Sequence, residues 1–135
     1  MANISKQPKK ETILDLVAEF NSAFGIKTSK KPTLATSEDY KLKFNLLKEE
    51  LDEYLQACED ENLVEVSDAI IDMFYVLSGI ALLHGIQNRV PDMFLEVHNS
   101  NMSKLENGKI LKRADGKIIK GSEYFKPNLK KFIDG

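Results

Sequence analysis

Apolar residues recur at three- and four-residue intervals in successive stretches of this chain, and each stretch predicts a helix. In KKETILDLVAEFNSAFG the stripe is Ile13, Leu14, Val17, Phe20 and Phe24, with Gly25 as a C-terminal stop. Residues 26–37, IKTSKKPTLATS, have no period and read as a surface loop. Ser37 is the expected N-cap of a long second helix, SEDYKLKFNLLKEELDEYLQACEDEN, whose stripe is Leu42, Leu46, Leu47, Leu51, Tyr54 and Leu55. A third helix, capped by Asn62, runs from about Leu63 to Gly85. It is apolar on nearly every side, so it is expected to be central, packed against several neighbours or a partner subunit. Pro91 suits the first turn of a shorter fourth helix in VPDMFLEVHNSNMSKL. The pattern then changes, because GKILKRADGKIIKG sets β-branched and basic residues on both sides of Asp115-Gly116, a pair that favours a hairpin turn.

The elements predict an all-α fold: a helical bundle of four main helices with a short C-terminal β-hairpin tail, in one domain over residues 1–135. Residues 104–135 form its basic tail and residues 1–10 are expected to be flexible. The third helix has about the 20 residues that a bilayer requires, but Asp68 and Asp72 lie inside it. Each would cost roughly 2.5 to 3.5 kcal/mol on insertion scales, and no second span shelters them. A soluble bundle is the better expectation, with no membrane partner. A net charge of -2, with 30% charged residues, gives no overall attraction to nucleic acid. The single Cys58 and the polar start MANISKQPKK point to a reducing cytoplasm.

The candidate chemistry is acidic. Glu49, Glu50 and Glu53 form an ExxE pattern on the second helix, and Glu65, Asp68 and Asp72 share a face of the third. The short connection predicts antiparallel neighbours, so the two patches can face each other. Glu49, Asp52, Glu59, Asp60 and Glu61 sit among polar residues and suit a solvated face. Asp68 beside Val64 and Ile71, and Asp72 beside Ala69, Tyr75 and Val76, do not. Clustered carboxylates repel, so they must take up protons, pair with lysines or hold cations. Hard divalent cations such as Mg²⁺ or Mn²⁺ prefer such oxygen ligands. A di-iron bundle would carry Glu-x-x-His on two helices, and neither His84 nor His98 has a glutamate three residues earlier.

LLKEELDEYLQA followed by EVSDAIIDMFYVLSGIAL resembles the acidic signature of the all-α nucleoside triphosphate pyrophosphohydrolase superfamily, which includes MazG-like proteins and phosphoribosyl-ATP pyrophosphohydrolase. EVHNSNMSK and RADGKIIKG extend the resemblance to a phosphoribosyl-ATP pyrophosphohydrolase-like subgroup, from about Phe20 to Pro127. Lys43 stands where many such proteins carry arginine. The resemblance implies Mg²⁺-dependent hydrolysis of a nucleotide substrate to a monophosphate and pyrophosphate. It implies Glu50, Glu53, Glu65, Asp68 and Asp72 as metal ligands, and Glu49, Glu50, Glu53 and Asp68 as the catalytic acids. Glu49 would orient or deprotonate water. With the apolar third helix it also implies a homodimer or a dimer-based tetramer.

The basic tail supplies charge for phosphate. Lys104, Arg113, Lys117 and Lys120 are candidate clamps, Asn101 a candidate contact to base or sugar, and His98 a further candidate for phosphate. Each has a plainer explanation in solvated surface charge, a turn around NSN, or a structural histidine. Tyr124 and Phe125 are expected to anchor the tail, and Cys58 and the methionines to pack. A catalytically silent dimeric module that keeps the bundle for binding or regulation is the competing functional class.

Overall fold

A computed structural model describes residues 12–134, so the expectation for residues 1–10 lies outside the described residues. The chain divides into two compact units, Met1–Gln87 and Asn88–Gly135. The first holds three helices: α1 (Ile13–Phe24), α2 (Ser37–Glu59) and α3 (Leu63–Leu83). A 3-10 turn, Gln87–Arg89, spans the boundary, and the second unit holds α4 (Val90–Met102) and a short α5 (Lys130–Asp134) that the sequence pattern did not predict.

Local chemistry explains where the helices begin and end. Thr12 caps α1 by accepting from the Asp15 amide, and the Asp15 carboxylate accepts from the Thr12 amide in return. Gly25 closes α1 at φ 66°, a left-handed geometry that costs a Cβ-free residue little. The cap of α2 is Thr36, one residue before the expected Ser37, because the Thr36 hydroxyl accepts from the Asp39 amide and leaves Ser37 inside the first turn. Asn62 caps α3 as expected, its Oδ1 accepting from the Glu65 amide.

α2 and α3 run antiparallel and pack along each other, and α1 lies against α3. The loop between α1 and α2 is strapped across the C-terminal end of α3. The Ser29 amide donates to the Leu82 carbonyl, its hydroxyl to the Leu83 carbonyl, and the Thr33 amide to the His84 carbonyl. These bonds satisfy carbonyls that the end of a helix leaves without partners. Among the described residues the buried hydrophobic side chains are few: Val17, Ala57, Ala69, Leu82 and Leu83. Cys58 is exposed rather than packed, and its thiol raises the Tyr54 phenol through a hydrogen bond. Met102 is exposed as well.

In the second unit, Pro91 sits in the first turn of α4 as expected. The segment after α4 folds back along it: the buried Ser100 hydroxyl donates to the Phe125 carbonyl, and the Asn128 amide donates to the Glu96 carboxylate. The expected β-hairpin does not form as a ladder. Only isolated bridges pair Glu106 with Lys109 and Lys112 with Ile118. The Asp115-Gly116 turn itself is present, with Gly116 at φ 87° and the Arg113 amide donating to the Lys117 carbonyl. Ile110, Ile118 and Ile119 around it are exposed, and a two-stranded ribbon with no apolar face covered does not hold a regular ladder.

Candidate metal centre

The seven residue steps from Glu50 to Ala57 span about two turns of α2, and the antiparallel partner brings Asp72 opposite Glu50 and Glu65 opposite the end of that run. One carboxylate oxygen each from Glu50, Glu53 and Asp72 lies within 4.8 Å of the others. Nearer the α2–α3 connection, Glu53, Gln56, Ala57, Asp60, Glu65 and Asp68 line an open cleft of about 410 Å³. Glu53 belongs to both groups and joins them into one acidic site.

The expected ligands differ in burial. Glu50 and Asp72 are half-buried, whereas Glu53, Glu65 and Asp68 are exposed on the cleft. The exposure of Asp68, with Val64 and Ile71 also exposed beside it, corrects the expectation that an apolar edge confines it. Glu49 is exposed and lies outside the three-carboxylate group. Gln56 and Asp60 were not expected to line the site. Their signal is the spacing from Glu53, since positions 53, 56, 57 and 60 share one helix face, and Gln56 Nε2 donates to Asp60 Oδ1 at 3.0 Å.

The electrostatics are those of an uncompensated acid cluster. The Glu50 carboxyl is pushed up to about 7. Burial is the largest cause, followed by a hydrogen bond to Glu53 that only a protonated carboxyl can make, and by the charges of Glu53, Asp72 and Asp68. Its Oε2 is shut off from solvent and has no hydrogen-bond partner. The ion pairs among the described residues are Lys27–Asp39, Arg113–Asp115, Lys130–Asp134 and Lys131–Glu96. None involves the cluster, so no lysine or arginine among the described residues forms an ion pair with it.

These residues fit a hard divalent cation. A buried acceptor without a donor, beside two more carboxylates at a spacing comparable to the ~4 Å across an Mg²⁺ coordination sphere, is the donor set such an ion uses. The open cleft leaves room for water and for ligand oxygens.

The sequence profile of the phosphoribosyl-ATP pyrophosphohydrolase family matches residues 17–101, which contain every one of these acids. The chain belongs to this family. Phosphoribosyl-ATP pyrophosphohydrolases are part of the MazG-like all-α nucleoside triphosphate pyrophosphohydrolase superfamily, and the family points to a pyrophosphohydrolase that typically depends on a divalent metal. An uncharacterised protein of Acanthamoeba polyphaga mimivirus is 34% identical over 82 residues, covering 58% of this chain and 33% of that protein. The chain thus spans about a third of the length of this curated relative.

The candidate substrate contacts belong to the second unit. His98 and Asn101 are exposed on α4 and its last turn. Lys104 is half-buried, its carbonyl accepting from the Gly121 amide. Arg113 is engaged locally: its Nη2 donates to Asp115 at 2.6 Å, and this bond is the main cause holding the Asp115 carboxyl below its ordinary value. The Lys120 ammonium lies 4.7 Å from the centre of the Tyr124 ring. Lys117 is exposed, and its side chain has no partner among the described residues.

Proposed function

We propose that this protein is a Mg²⁺- or Mn²⁺-dependent hydrolase that cleaves a nucleoside triphosphate, or a related nucleotide such as phosphoribosyl-ATP, to the monophosphate and pyrophosphate. The observation that carries the reading is the Glu50 carboxyl: half-buried, with one oxygen unpartnered, and facing Glu53 and Asp72, with no ion pair to any of the three among the described residues. A scaffold has no use for that cost. Glu50, Glu53 and Asp72 would hold the metal, with Glu65 and Asp68 as further ligands toward the cleft. When bound, a hard divalent cation offsets the charge of the phosphate chain and activates water.

Water attacks phosphorus, the bridging P–O bond breaks, and pyrophosphate leaves with that oxygen. Glu49 is assigned to orient the water or accept its proton, which its exposed position beside Glu50 allows. Lys104, Lys117 and Asn101 are the favoured contacts to phosphate and base, ahead of Arg113 and Lys120, whose charges are already occupied by Asp115 and Tyr124. His98 is retained as a phosphate contact on its exposure alone. The proposed setting is the cytoplasm, supported by the lone unpaired cysteine.

Calorimetric titration with Mg²⁺ and Mn²⁺, paired with pyrophosphate release from a nucleotide panel, tests the reading. Metal uptake with release abolished by EDTA is expected. Metal uptake without release from any nucleotide would leave the binding module as the function instead.

A further inference from the structure

We infer that Phe20 and Phe24 of α1, with Tyr75 of α3, form the platform on which the nucleobase of the substrate stacks, an assignment that rests on the nucleotide reading of the acidic site and adds where the base lies.

The three rings are continuous with that site. Asp68, Asp72, Tyr75 and Gly79 follow at intervals of four, three and four and so share one face of α3. Tyr75 is one helical turn from Asp72, about 5 to 6 Å away between Cβ atoms. The Phe20 ring meets Tyr75 edge-on, with 5.5 Å between centroids and 89° between planes. Phe24, one turn further along α1, stacks on Phe20 at 4.4 Å and 29°. A ledge of rings therefore begins beside the carboxylates and ends within ~15 Å of Asp72, a span that the sugar and phosphates of a nucleotide bridge.

The ledge is open to a ligand. Phe24 is 69% exposed, Tyr75 40% and Phe20 37%. Phe20 takes one face of Phe24, so the exposed surface of Phe24 is its other face and its rim. A single exposed apolar side chain is ordinary, but contiguous rings beside an acidic site form a surface for binding. Neither phenylalanine offers a donor or an acceptor, so the ledge holds a base by its ring face and leaves its edge to other groups.

The charges around the rings select a nucleotide as the occupant over an apolar partner. Asp68 and Asp72 lie at one end of this face of α3. At the other the Lys43 ammonium lies across the helix, 3.4 Å from the position that a Cβ on Gly79 would take. An apolar surface laid over the rings would have to desolvate those charges without pairing them. A nucleotide is apolar only at its base, and its sugar and phosphates suit the polar ends.

The test uses the full chain with Mg²⁺ and two ligands: the α,β-imido analogue of ATP, which resists cleavage between those phosphates, and tripolyphosphate, which has no base. By calorimetry the analogue should bind more tightly than tripolyphosphate. By NMR its base protons should move upfield and show Overhauser contacts to the Phe24 ring. Phe24→Leu keeps an apolar side chain at an exposed position but removes the ring, and should weaken the analogue by roughly five- to tenfold, at the lower end of a base–aromatic stack. Phe24→Tyr should restore it, and tripolyphosphate should bind wild type and both variants alike. The NMR contacts on wild type decide the matter if Phe24→Leu fails to fold. Analogue binding no tighter than tripolyphosphate, no contact to Phe24, an unchanged Phe24→Leu, or an equal loss of tripolyphosphate would each overturn the inference and leave the hydrolase reading standing. Failure of the wild type to bind either ligand would defeat that reading and the platform with it.

Discussion

Replacing Glu50 by glutamine isolates the electrostatic cost of the metal-free site. The Glu50 carboxyl is raised from an ordinary 4.5 to about 7, chiefly by burial and by Glu53. For an acid raised in the folded state the cost of ionisation is absent below pH 4.5. It grows as pH rises and is complete above about 7. At about 1.4 kcal/mol per pH unit, that span sets a ceiling of about 3 kcal/mol. Glu50 is only half-buried beside an open cleft, so solvent screening reduces the expected cost to about 1 to 2 kcal/mol. Glu50→Gln keeps the side-chain shape and can still donate to Glu53, while removing the charge. Denaturant unfolding in the presence of a chelator should therefore show wild type and variant equally stable near pH 4.5, with the variant ahead by about 1 to 2 kcal/mol at pH 8. Millimolar Mg²⁺ should raise the wild type and narrow or reverse that gap. Parallel pH profiles, or a variant less stable than wild type at pH 8, would refute the reasoning.

Other substitutions probe the remaining parts. Glu53→Gln and Asp68→Asn should each lose most pyrophosphate release while the metal-free protein stays at least as stable as wild type, checked by thermal unfolding beside the activity assay. A structural ion-pair role would instead destabilise the fold by roughly 3 to 5 kcal/mol. Lys104→Ala should weaken nucleotide affinity by about tenfold, the order of one charge-assisted hydrogen bond, with Mg²⁺ affinity unchanged by calorimetry. Gly85→Ala should cost more than about 1 kcal/mol of stability in denaturant unfolding. Gly85 sits at φ 71°, and a Cβ there would collide with the Lys31 carbonyl of the strap across the end of α3.

The helices were legible because their information is local. Gly25 and Asn62 mark helix ends by their own backbone and side-chain chemistry, and the acids declare their shared faces through spacings of three and four. Thr36 was equally legible in principle, because Thr-x-x-Asp with Asp39 is the stronger capping pattern and Ser37-x-x-Tyr40 offers none. The strap from Ser29 to Leu82 and Leu83 was not, since it joins residues more than fifty positions apart. The hairpin failed for a related reason: Asp115-Gly116 specifies a turn, but a ladder needs a covered face, which the exposed Ile118 and Ile119 do not provide. Within the site, the pattern gave the set of acids but not their division into the half-buried Glu50 and Asp72 and the exposed Glu53, Glu65 and Asp68. That division depends on how deeply α2 and α3 pack.

The central claim is that these carboxylates serve nucleotide cleavage, and pyrophosphate release from a panel of nucleoside triphosphates and phosphoribosyl-ATP tests it most directly. Release from at least one nucleotide in Mg²⁺ or Mn²⁺ is expected, abolished by EDTA and by Glu53→Gln in a variant that remains folded. No release from any nucleotide by the folded, metal-loaded protein, or release that survives both EDTA and Glu53→Gln, would contradict it.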